Sequence, residues 1–300
     1  LAQIGETEMN YSFYTLDVFT DTAFGGNPLA VFPHAAGIDG VMMQKIAREL
    51  NLSETVFVDE PIADNHFPVR IFTPACEIPF AGHPTVGTAY LLAQLGLAQG
   101  DQLTLKEGVG DIPVTVSLEH KSACFKVAML PAISESHLNE SDVAELLGLD
   151  RSQVARKPFI SSCGLPFQML ELTDAEAVDQ ADLNLSVWKN CFPDHALSDL
   201  YLFSHDGDGQ LYSRMFSPAF NIPEDPATGS AAAALTGALA AEQADSVGDG
   251  PVELSFVVTQ GVRMARPSLI ESTVTLLEGK VVELAVQGQS VVLSEGRYLL

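Results

Sequence analysis

The stretch FTPACEIP, at residues 72–79, recurs as FSPAFNIP at residues 216–223, with five of its eight positions identical. Each copy is followed by a loop rich in glycine, threonine and proline and then by an apolar segment. Shared strand composition is the alternative explanation, but two further pairs match in the same order with similar offsets, which indicates an internal duplication. These pairs are SETVFV (53–58) with SDLYLF (198–203), and GNPLAVF (26–32) with GLPFQML (164–170).

The duplication predicts an α/β (α+β) protein of two similar domains, because repeats of about 140 residues are too long for solenoid units. The segments after the two loops, VGTAYLLAQLGLA and SAAAALTGALAA, are apolar or small on nearly every face. Such helices are buried on all sides. We therefore expect each domain to be a curved mixed β-sheet wrapped around a central helix. We assign residues 9–127 plus 286–300 to the N-terminal domain and 128–285 to the C-terminal domain, with the active site in the cleft between them.

Two local patterns add predictions. The segment VMMQKIAREL (41–50) predicts a helix with Met42, Ile46 and Leu50 on one apolar face. The tail VVELAVQGQSVVLSEGRYLL (281–300) predicts two strands around a glycine turn, the last of which returns to the first domain.

The charge of the chain excludes several classes of partner. It carries 39 acidic and 15 basic side chains, a net charge of -24. Such a surface repels phosphate backbones and anionic membranes, so we expect no nucleic-acid and no membrane partner. The four cysteines show no C-x-x-C spacing, which indicates reduced thiols and a cytoplasmic protein. Residues 1–8 are either native or an extension that precedes a natural start at Met9.

The duplicated loops AGHPT (81–85) and EDPATGS (224–230) each stand before an apolar helix. The start of a helix leaves backbone N–H groups free and carries partial positive charge. Two such starts that face one cleft would hold a carboxylate, with Gly82 and Gly229 allowing close backbone approach and Ser230 in the first turn. The alternative is two ordinary capped helices.

Three side chains are candidates for proton transfer. Glu54 lies between a polar turn and an apolar strand, where desolvation raises the pKa of a carboxyl group. His83 can donate or accept a proton near neutral pH. Asp225 precedes a proline at the second loop, and Asp199, the repeat counterpart of Glu54, is a weaker candidate. Taken singly, each also fits an ordinary structural role, such as a helix cap for Asp225.

The chain contains no P-loop, dinucleotide fingerprint or metal-binding motif. We therefore expect no cofactor and no metal.

Four segments together resemble the PhzF-like family, a branch of the diaminopimelate-epimerase fold that includes an enzyme of phenazine biosynthesis. The match runs in order from residue 11 to the final strands, and the combination of SET, AGHPT and DPATGS is typical of the family. The four segments are DVFTDTAFGGNPLAVF (17–32), NLSETVFV (51–58), RIFTPACEIPFAGHPTVGTA (70–89) and EDPATGSA (224–231).

The resemblance implies an active site between two similar domains, often a homodimer, and catalysis without metal or organic cofactor. In the best-understood member the reaction isomerises trans-2,3-dihydro-3-hydroxyanthranilate. By the resemblance, Glu54 removes a proton from one carbon and delivers it to another, and His83 contacts the substrate and assists. Asp225 and Ser230 belong to the pocket, and the backbone around the two loop glycines holds the substrate carboxylate.

The chain departs from related proteins at two places. The related epimerases use two cysteines, one from each repeat, but neither loop here contains one; Cys76 has no repeat partner because Phe220 occupies that place. A two-thiol racemase is therefore disfavoured. Ala265 stands where the family usually has glycine, and we expect a local packing effect.

These observations favour an isomerase that shifts a proton within a small carboxylated substrate, with Glu54 as acid and base. A one-base epimerase that acts on an amino-acid-like molecule and a non-catalytic small-molecule-binding protein are the alternatives.

Overall fold

We describe the protein from a computed structural model, in which residues 10–220, 222–244 and 250–299 are described. The interpretation of Met9 as a natural start lies outside these residues. The first repeat contains eight strands and two helices within the described residues. They are β1 (Asn10–Val18), β2 (Asn27–Phe32), α1 (Gly40–Leu50), β3 (Glu54–Val58), β4 (His66–Phe72), β5 (Glu77–Ile78), α2 (Gly82–Gln94), β6 (Gln102–Glu107), β7 (Gly110–Ser117) and β8 (Ser122–Lys126).

The rest of the described chain adds nine strands and four helices. They are β9 (Ala132–Glu135), α3 (Glu140–Leu147), β10 (Phe159–Ser162), β11 (Pro166–Glu171), α4 (Ala175–Gln180), α5 (Leu185–Cys191), β12 (Leu200–His205), β13 (Gln210–Ser217), β14 (Ile222–Asp225), α6 (Gly229–Glu242), β15 (Val252–Gln260), β16 (Ser268–Leu277) and β17 (Lys280–Leu299).

The pairing of the strands repeats once along the chain. In the first repeat β1–β2 is antiparallel, β2–β3 parallel, β3–β4 antiparallel, β4–β6 parallel and β6–β7–β8 antiparallel. The strands β10, β11, β12, β13, β15, β16 and β17 pair in the same order and with the same directions. A parallel pair needs a crossover connection, and α2 and α6 supply it at equivalent places. The predicted mixed α/β duplication is confirmed.

The central helices are buried as their composition predicts. Every residue of α2 from Gly82 to Ala93 is buried, and so is every residue of α6 from Ala231 to Ala240. Both helices belong to one hydrophobic core that also includes strand residues of both repeats. Such a core is possible because these helices carry no polar face to turn towards water.

The C-terminal tail forms a single strand, and the prediction of two strands around a glycine turn is wrong. The strand β17 pairs with β16 in its first half and with β1 from Ser290 to Leu299, and it also pairs with β8. Gly288 continues the strand, and its missing side chain makes room for the ring of Phe19: a β-carbon there would lie 2.1 Å from Phe19 Cδ1. The strand thus links the two repeats, and the division into domains at residues 128 and 286 stays a prediction.

The helix α1 forms as predicted, but its buried face is rotated from the predicted one. Met43, Ile46 and Ala47 are buried, whereas Met42 and Leu50 are only half-buried. The two faces differ by a rotation of about 50° around the helix axis, half of the roughly 100° that separates successive residues. None of the described helices is long and apolar enough to cross a membrane.

Ala265 has an unusual backbone conformation at the turn that precedes β16. Its φ and ψ are 55° and 29°, in the left-handed region, and its side chain is exposed. The following residue, Arg266, donates hydrogen bonds of 2.8 Å to the carbonyl oxygens of Gly25 and Gly26 and pairs with Asp17. The turn therefore positions a contact between the two repeats. The effect of this alanine is one of backbone conformation, because a left-handed residue other than glycine costs about 1–2 kcal/mol.

We predict that Ala265→Gly stabilises the protein. Relief of the left-handed strain outweighs the extra chain entropy of glycine, about 0.4–1 kcal/mol, so we expect a net gain of roughly 0.5–1 kcal/mol in the free energy of unfolding. Urea denaturation measures it. The control Ala144→Gly, in the middle of α3, should destabilise by about 1 kcal/mol. A loss of stability in Ala265→Gly would contradict the assignment.

Candidate active site

The first residues of the two central helices lie against each other. A β-carbon added to Gly82 would lie 3.4 Å from Gly229 Cα and 3.6 Å from the backbone nitrogen of Ser230. Gly82 begins α2 and Gly229 begins α6, so the structure pairs these glycines, and it pairs His83 with Ser230 as second helical residues. A β-carbon at Gly82 would thus be in van der Waals contact with the backbone of α6, and one at Gly229 would lie 3.1 Å from Phe19 Cζ, which is a tight contact.

Neither helix is capped by the side chain of its N-cap residue. Ala81 has no polar side chain, and the hydroxyl of Thr228 makes no capping hydrogen bond. Each helix start therefore keeps N–H groups that point out of the helix, together with its partial positive charge. Two positive helix ends in contact repel each other, and an anion bound between them would relieve the repulsion. The ordinary interpretation, two side-chain-capped helices, does not hold.

Glu54 and His83 are brought together beside this junction. Glu54 begins β3 and is 9% exposed; His83 is the second residue of α2 and is 5% exposed. The distance between His83 Nε2 and Glu54 Oε2 is 3.1 Å, yet their orientation is not that of a hydrogen bond, and both atoms are buried without a hydrogen-bond partner. Buried polar atoms without partners are uncommon, and each calls for an explanation.

The two groups form a neutral pair at neutral pH. Burial raises the pKa of Glu54 to about 8, and the negative charge of Asp225 adds to the rise. Burial lowers the pKa of His83 to about 3, against a hydrogen bond to the backbone of Pro28. The short distance thus does not signify a salt bridge, because the cost of burying both charges exceeds their attraction.

Asp225 is held by side chains from both repeats. Its Oδ1 accepts a hydrogen bond of 2.9 Å from Asn27 Nδ2, and its Oδ2 accepts one of 2.5 Å from Thr228 Oγ1. Burial raises its pKa to about 6, although the bonds from Thr228 and Asn27 oppose the rise. Asp225 is therefore mostly ionised at neutral pH, and its charge faces Glu54. Its oxygens hold side chains, so the helix-cap interpretation is not the one observed.

Gln260 fixes the loop that carries Asp225. Its Nε2 donates to the backbone oxygen of Asp225 at 2.8 Å and to Thr228 Oγ1 at 3.0 Å. Its Oε1 accepts from Tyr201 Oη at 3.0 Å and from the backbone nitrogen of Thr228 at 3.2 Å. Gln260 is fully buried. Every polar atom of its amide is bonded, which makes the loop rigid.

Sequence reasoning missed Asn27, Gln260 and Phe19 as parts of the site. Asn27 had a visible signal, since it is a polar residue that opens an apolar strand. Gln260 ends a strand that alternates polar and apolar residues, and nothing in its neighbourhood distinguishes it. Phe19 is fully buried with a left-handed φ of 65°, and its ring would lie 3.1 Å from a β-carbon on Gly229.

Asp199, the weaker candidate, has a different environment from Glu54. Its carboxylate accepts a hydrogen bond of 2.6 Å from Ser217 Oγ, and burial raises its pKa while that bond opposes the rise. Asp199 thus has a hydrogen-bond partner that Glu54 lacks.

Ser230 is half-buried, and its backbone nitrogen faces Gly82.

Two surface cavities of the protein lie away from the predicted cleft. One surface cavity of about 180 Å³ is lined by residues that include His205 and Phe256, and another of about 400 Å³ by residues that include Arg156 and Phe159. Neither includes any of the predicted site residues. Among the described residues, no group of three or more His, Cys, Asp or Glu is arranged to hold a metal ion.

Comparison with known proteins places this chain in a family. The family model described as phenazine biosynthesis-like protein, PhzC-PhzF, matches residues 16–296. An uncharacterised isomerase of Mesorhizobium japonicum is 36% identical, over 97% of this chain and 99% of its own length. The trans-2,3-dihydro-3-hydroxyanthranilate isomerase of Pseudomonas aeruginosa is 31% identical, over 97% of this chain and 100% of its own length.

A solved structure agrees in fold. The PhzF-family phenazine biosynthesis protein of Bacillus anthracis superposes with a TM-score of 0.85 at 23% identity and covers 97% of this chain and 100% of its own. The sequence relationship extends over nearly the whole length of these proteins. This chain therefore belongs to the PhzC-PhzF family of phenazine biosynthesis-like proteins, and it is an isomerase of that family.

Proposed function

We propose that this protein shifts a proton within a small carboxylated substrate without a cofactor, with Glu54 as the single base and acid. The observation that carries the proposal is the position of Glu54. It is a buried carboxyl group without a hydrogen-bond partner, beside two uncapped helix starts in contact. The helix starts supply an anchor for an anion and Glu54 supplies a proton carrier.

The anchor consists of backbone N–H groups at Gly82, Gly229 and Ser230. Backbone donors at two helix N-termini favour a carboxylate over a neutral group because both the donors and the helix dipoles act on its charge. The Pseudomonas aeruginosa relative is named for a substrate that is an anthranilate derivative, and anthranilate carries a ring carboxylate. This name supports a ring carboxylate as the class of ligand.

Glu54 is suited to take a proton from carbon. A carboxylate whose conjugate acid has a pKa of about 8 is a stronger base than an ordinary one, and it pays no further desolvation when substrate enters. The reaction balances without another reactant: Glu54 takes a proton from one carbon, the double bond shifts, and Glu54 returns the proton to another carbon. His83 is neutral, so it can donate or accept a hydrogen bond beside Glu54 without competing as a cation.

We predict that Glu54→Gln keeps the fold but lowers kcat about 10²- to 10⁴-fold, the usual contribution of a general base. The measurement is turnover of trans-2,3-dihydro-3-hydroxyanthranilate, together with mass spectrometry of metabolites that co-purify with the variant. The matched control is Asp199→Asn, which alters the repeat counterpart and should leave kcat unchanged. Full activity of Glu54→Gln on a substrate of the wild type would rule out this mechanism.

A second prediction concerns pH. Because Glu54 must be ionised to act as a base, kcat/KM should rise with pH and level off above an apparent pKa of about 8. Asp225→Asn removes a negative charge that raises the pKa of Glu54, so the rising limb should move to lower pH. A rate profile that is flat between pH 6 and pH 9, a range set by these pKa values, would contradict the assignment.

A third prediction tests the anion site. Gly229→Ala places a β-carbon 3.1 Å from Phe19 Cζ and 3.7 Å from Gly82 Cα, so it crowds the ring of Phe19 and adds a methyl group between the two helix starts. We expect the affinity for benzoate, a simple ring carboxylate, to fall about tenfold or more, as for a lost hydrogen bond to a charged group. Calorimetry measures it, with Gly250→Ala as a control in open space. Failure of the wild-type protein to bind benzoate would contradict the site.

Solvent-deuterium incorporation distinguishes the one-base epimerase. Deuterium found with inversion at an α-carbon, and without a shifted double bond, would favour that alternative.

A further inference from the structure

A second buried carboxyl group lies beside α2, and the reaction proposed above does not use it. Glu107 is the last residue of β6 and is 6% exposed. Its Oε1 lies 2.7 Å from Thr85 Oγ1, and its Oε2 is buried without a hydrogen-bond partner. Thr85 belongs to the first turn of α2, which also carries Gly82 and His83. Glu107 therefore contacts the same turn that forms the site.

The hydroxyl group of Thr85 has one hydrogen but two oxygen neighbours. It lies 2.8 Å from the carbonyl oxygen of Ala81 as well as 2.7 Å from Glu107 Oε1. A carbonyl oxygen can only accept, so the hydrogen of Thr85 serves Ala81 if both contacts are hydrogen bonds. The contact with Glu107 is then a hydrogen bond only if Glu107 carries a proton and donates it.

The other repeat has a neutral donor at the equivalent position. Gln260 is the last residue of β15, the strand that corresponds to β6 in the repeated pairing. Its Nε2 donates to Thr228 Oγ1 at 3.0 Å, and Thr228 is the N-cap residue of α6. Both repeats thus connect a strand end to a threonine hydroxyl at a helix start. An amide makes this bond in one repeat and a carboxyl group makes it in the other.

The surroundings of Glu107 favour its neutral form. Burial raises its pKa to about 8; a hydrogen bond accepted from Thr85 would oppose the rise, whereas one donated to Thr85 would not, and no charged side chain is among the causes. The titratable groups nearby on β6 and β7 are Lys106 and Asp111, both exposed, and those on α2 are His83 and Tyr90. Among the described residues, no cation is thus identified that lowers the pKa of Glu107 by stabilising its ionised form.

We propose that Glu107 is a neutral carboxylic acid that donates its proton to Thr85 and thereby holds the first turn of α2 in place beside α6. It is a positioning residue, since it acts on Gly82 and His83 through Thr85. Its part in substrate binding rests on the proposed function. Its protonation and its contact with α2 do not rest on the proposed function, because both are argued from contacts within the folded protein.

The first test is Glu107→Gln, which keeps a donor and copies Gln260. In the wild type the unfolded chain ionises Glu107 above its ordinary pKa of 4.5, while the folded protein keeps it protonated up to about pH 8. Wild-type stability is therefore lost as pH rises through this window, and the variant lacks that loss. We expect the Tm of Glu107→Gln to exceed that of the wild type by a margin that grows from pH 5 to pH 8.

An ionised Glu107 would give a different result. If Glu107 is ionised and accepts from Thr85, the amide variant loses a charge-assisted bond. Its Tm then falls below that of the wild type, with a margin that does not grow between pH 5 and pH 8. This outcome would overturn the proposal.

The second test measures how strongly Glu107 fixes the first turn of α2. Glu107→Leu and Thr85→Val each remove the bond, so each should speed hydrogen–deuterium exchange in the first turn of α2 and weaken benzoate binding roughly two- to tenfold. Their effects should not add in the double variant, because both remove one interaction. Glu107→Gln should restore wild-type exchange and affinity. Additive effects, or no rescue by glutamine, would overturn the positioning role.

The two proposals can fail separately. Thermal stability and exchange need no substrate, so they test Glu107 even if Glu54→Gln remains active. Loss of turnover in Glu54→Gln together with an unstable Glu107→Gln would leave the reaction standing and remove the role of Glu107.

Discussion

The contact between the N-termini of α2 and α6 is the constraint on which the rest of the structure depends. Two helix ends of like partial charge meet at Gly82 and Gly229 with only backbone between them. Both helices point at one place from the interior of the protein, where strands pack around them. Their side chains are therefore apolar or small on every face. The repulsion left at the junction is the reason why we propose an anion site there.

Burial at this junction sets the chemistry of the surrounding groups. Two carboxyl groups that differ little in water acquire different pKa values, about 8 for Glu54 and about 6 for Asp225. The difference arises because Asp225 receives hydrogen bonds from Asn27 and Thr228, whereas Glu54 has none. Environments that separate two such pKa values are typical of acid and base pairs, and they support the proposed roles of Glu54 as proton carrier and of Asp225 as fixed charge. The same burial keeps His83 neutral.

The duplication gives the two repeats a common backbone arrangement, the frame, with equivalent positions. The side chains at these positions have diverged in their chemistry. His83 corresponds to Ser230 at the second position of each helix. Glu107 corresponds to Gln260 at the end of equivalent strands. The frame is conserved between the repeats because the buried helix and the order of strand pairing must be the same in each.

Much of the fold was already present in the sequence. The recurrence of FTPACEIP as FSPAFNIP, the helices apolar on all faces and the glycine-rich loops before them predicted a duplicated α/β protein with central buried helices. These signals are local and periodic, so they survive without knowledge of the tertiary contacts. The tail was misread because Gly288 looks like a turn residue, whereas it makes room for Phe19, a residue nearly the whole chain away.

The sequence by itself determined the two loops, the candidates Glu54, His83 and Asp225, and the family resemblance. Only the tertiary structure decided that the helix starts touch, that Glu54 lacks a partner, and that Asn27 and Gln260 hold Asp225 in place. The physical reason is that a pKa and a hydrogen bond depend on burial and on neighbours from distant segments. In the sequence, Glu107 is an ordinary carboxyl group at the end of a strand. Only the fold buries it away from water and places Thr85 beside it.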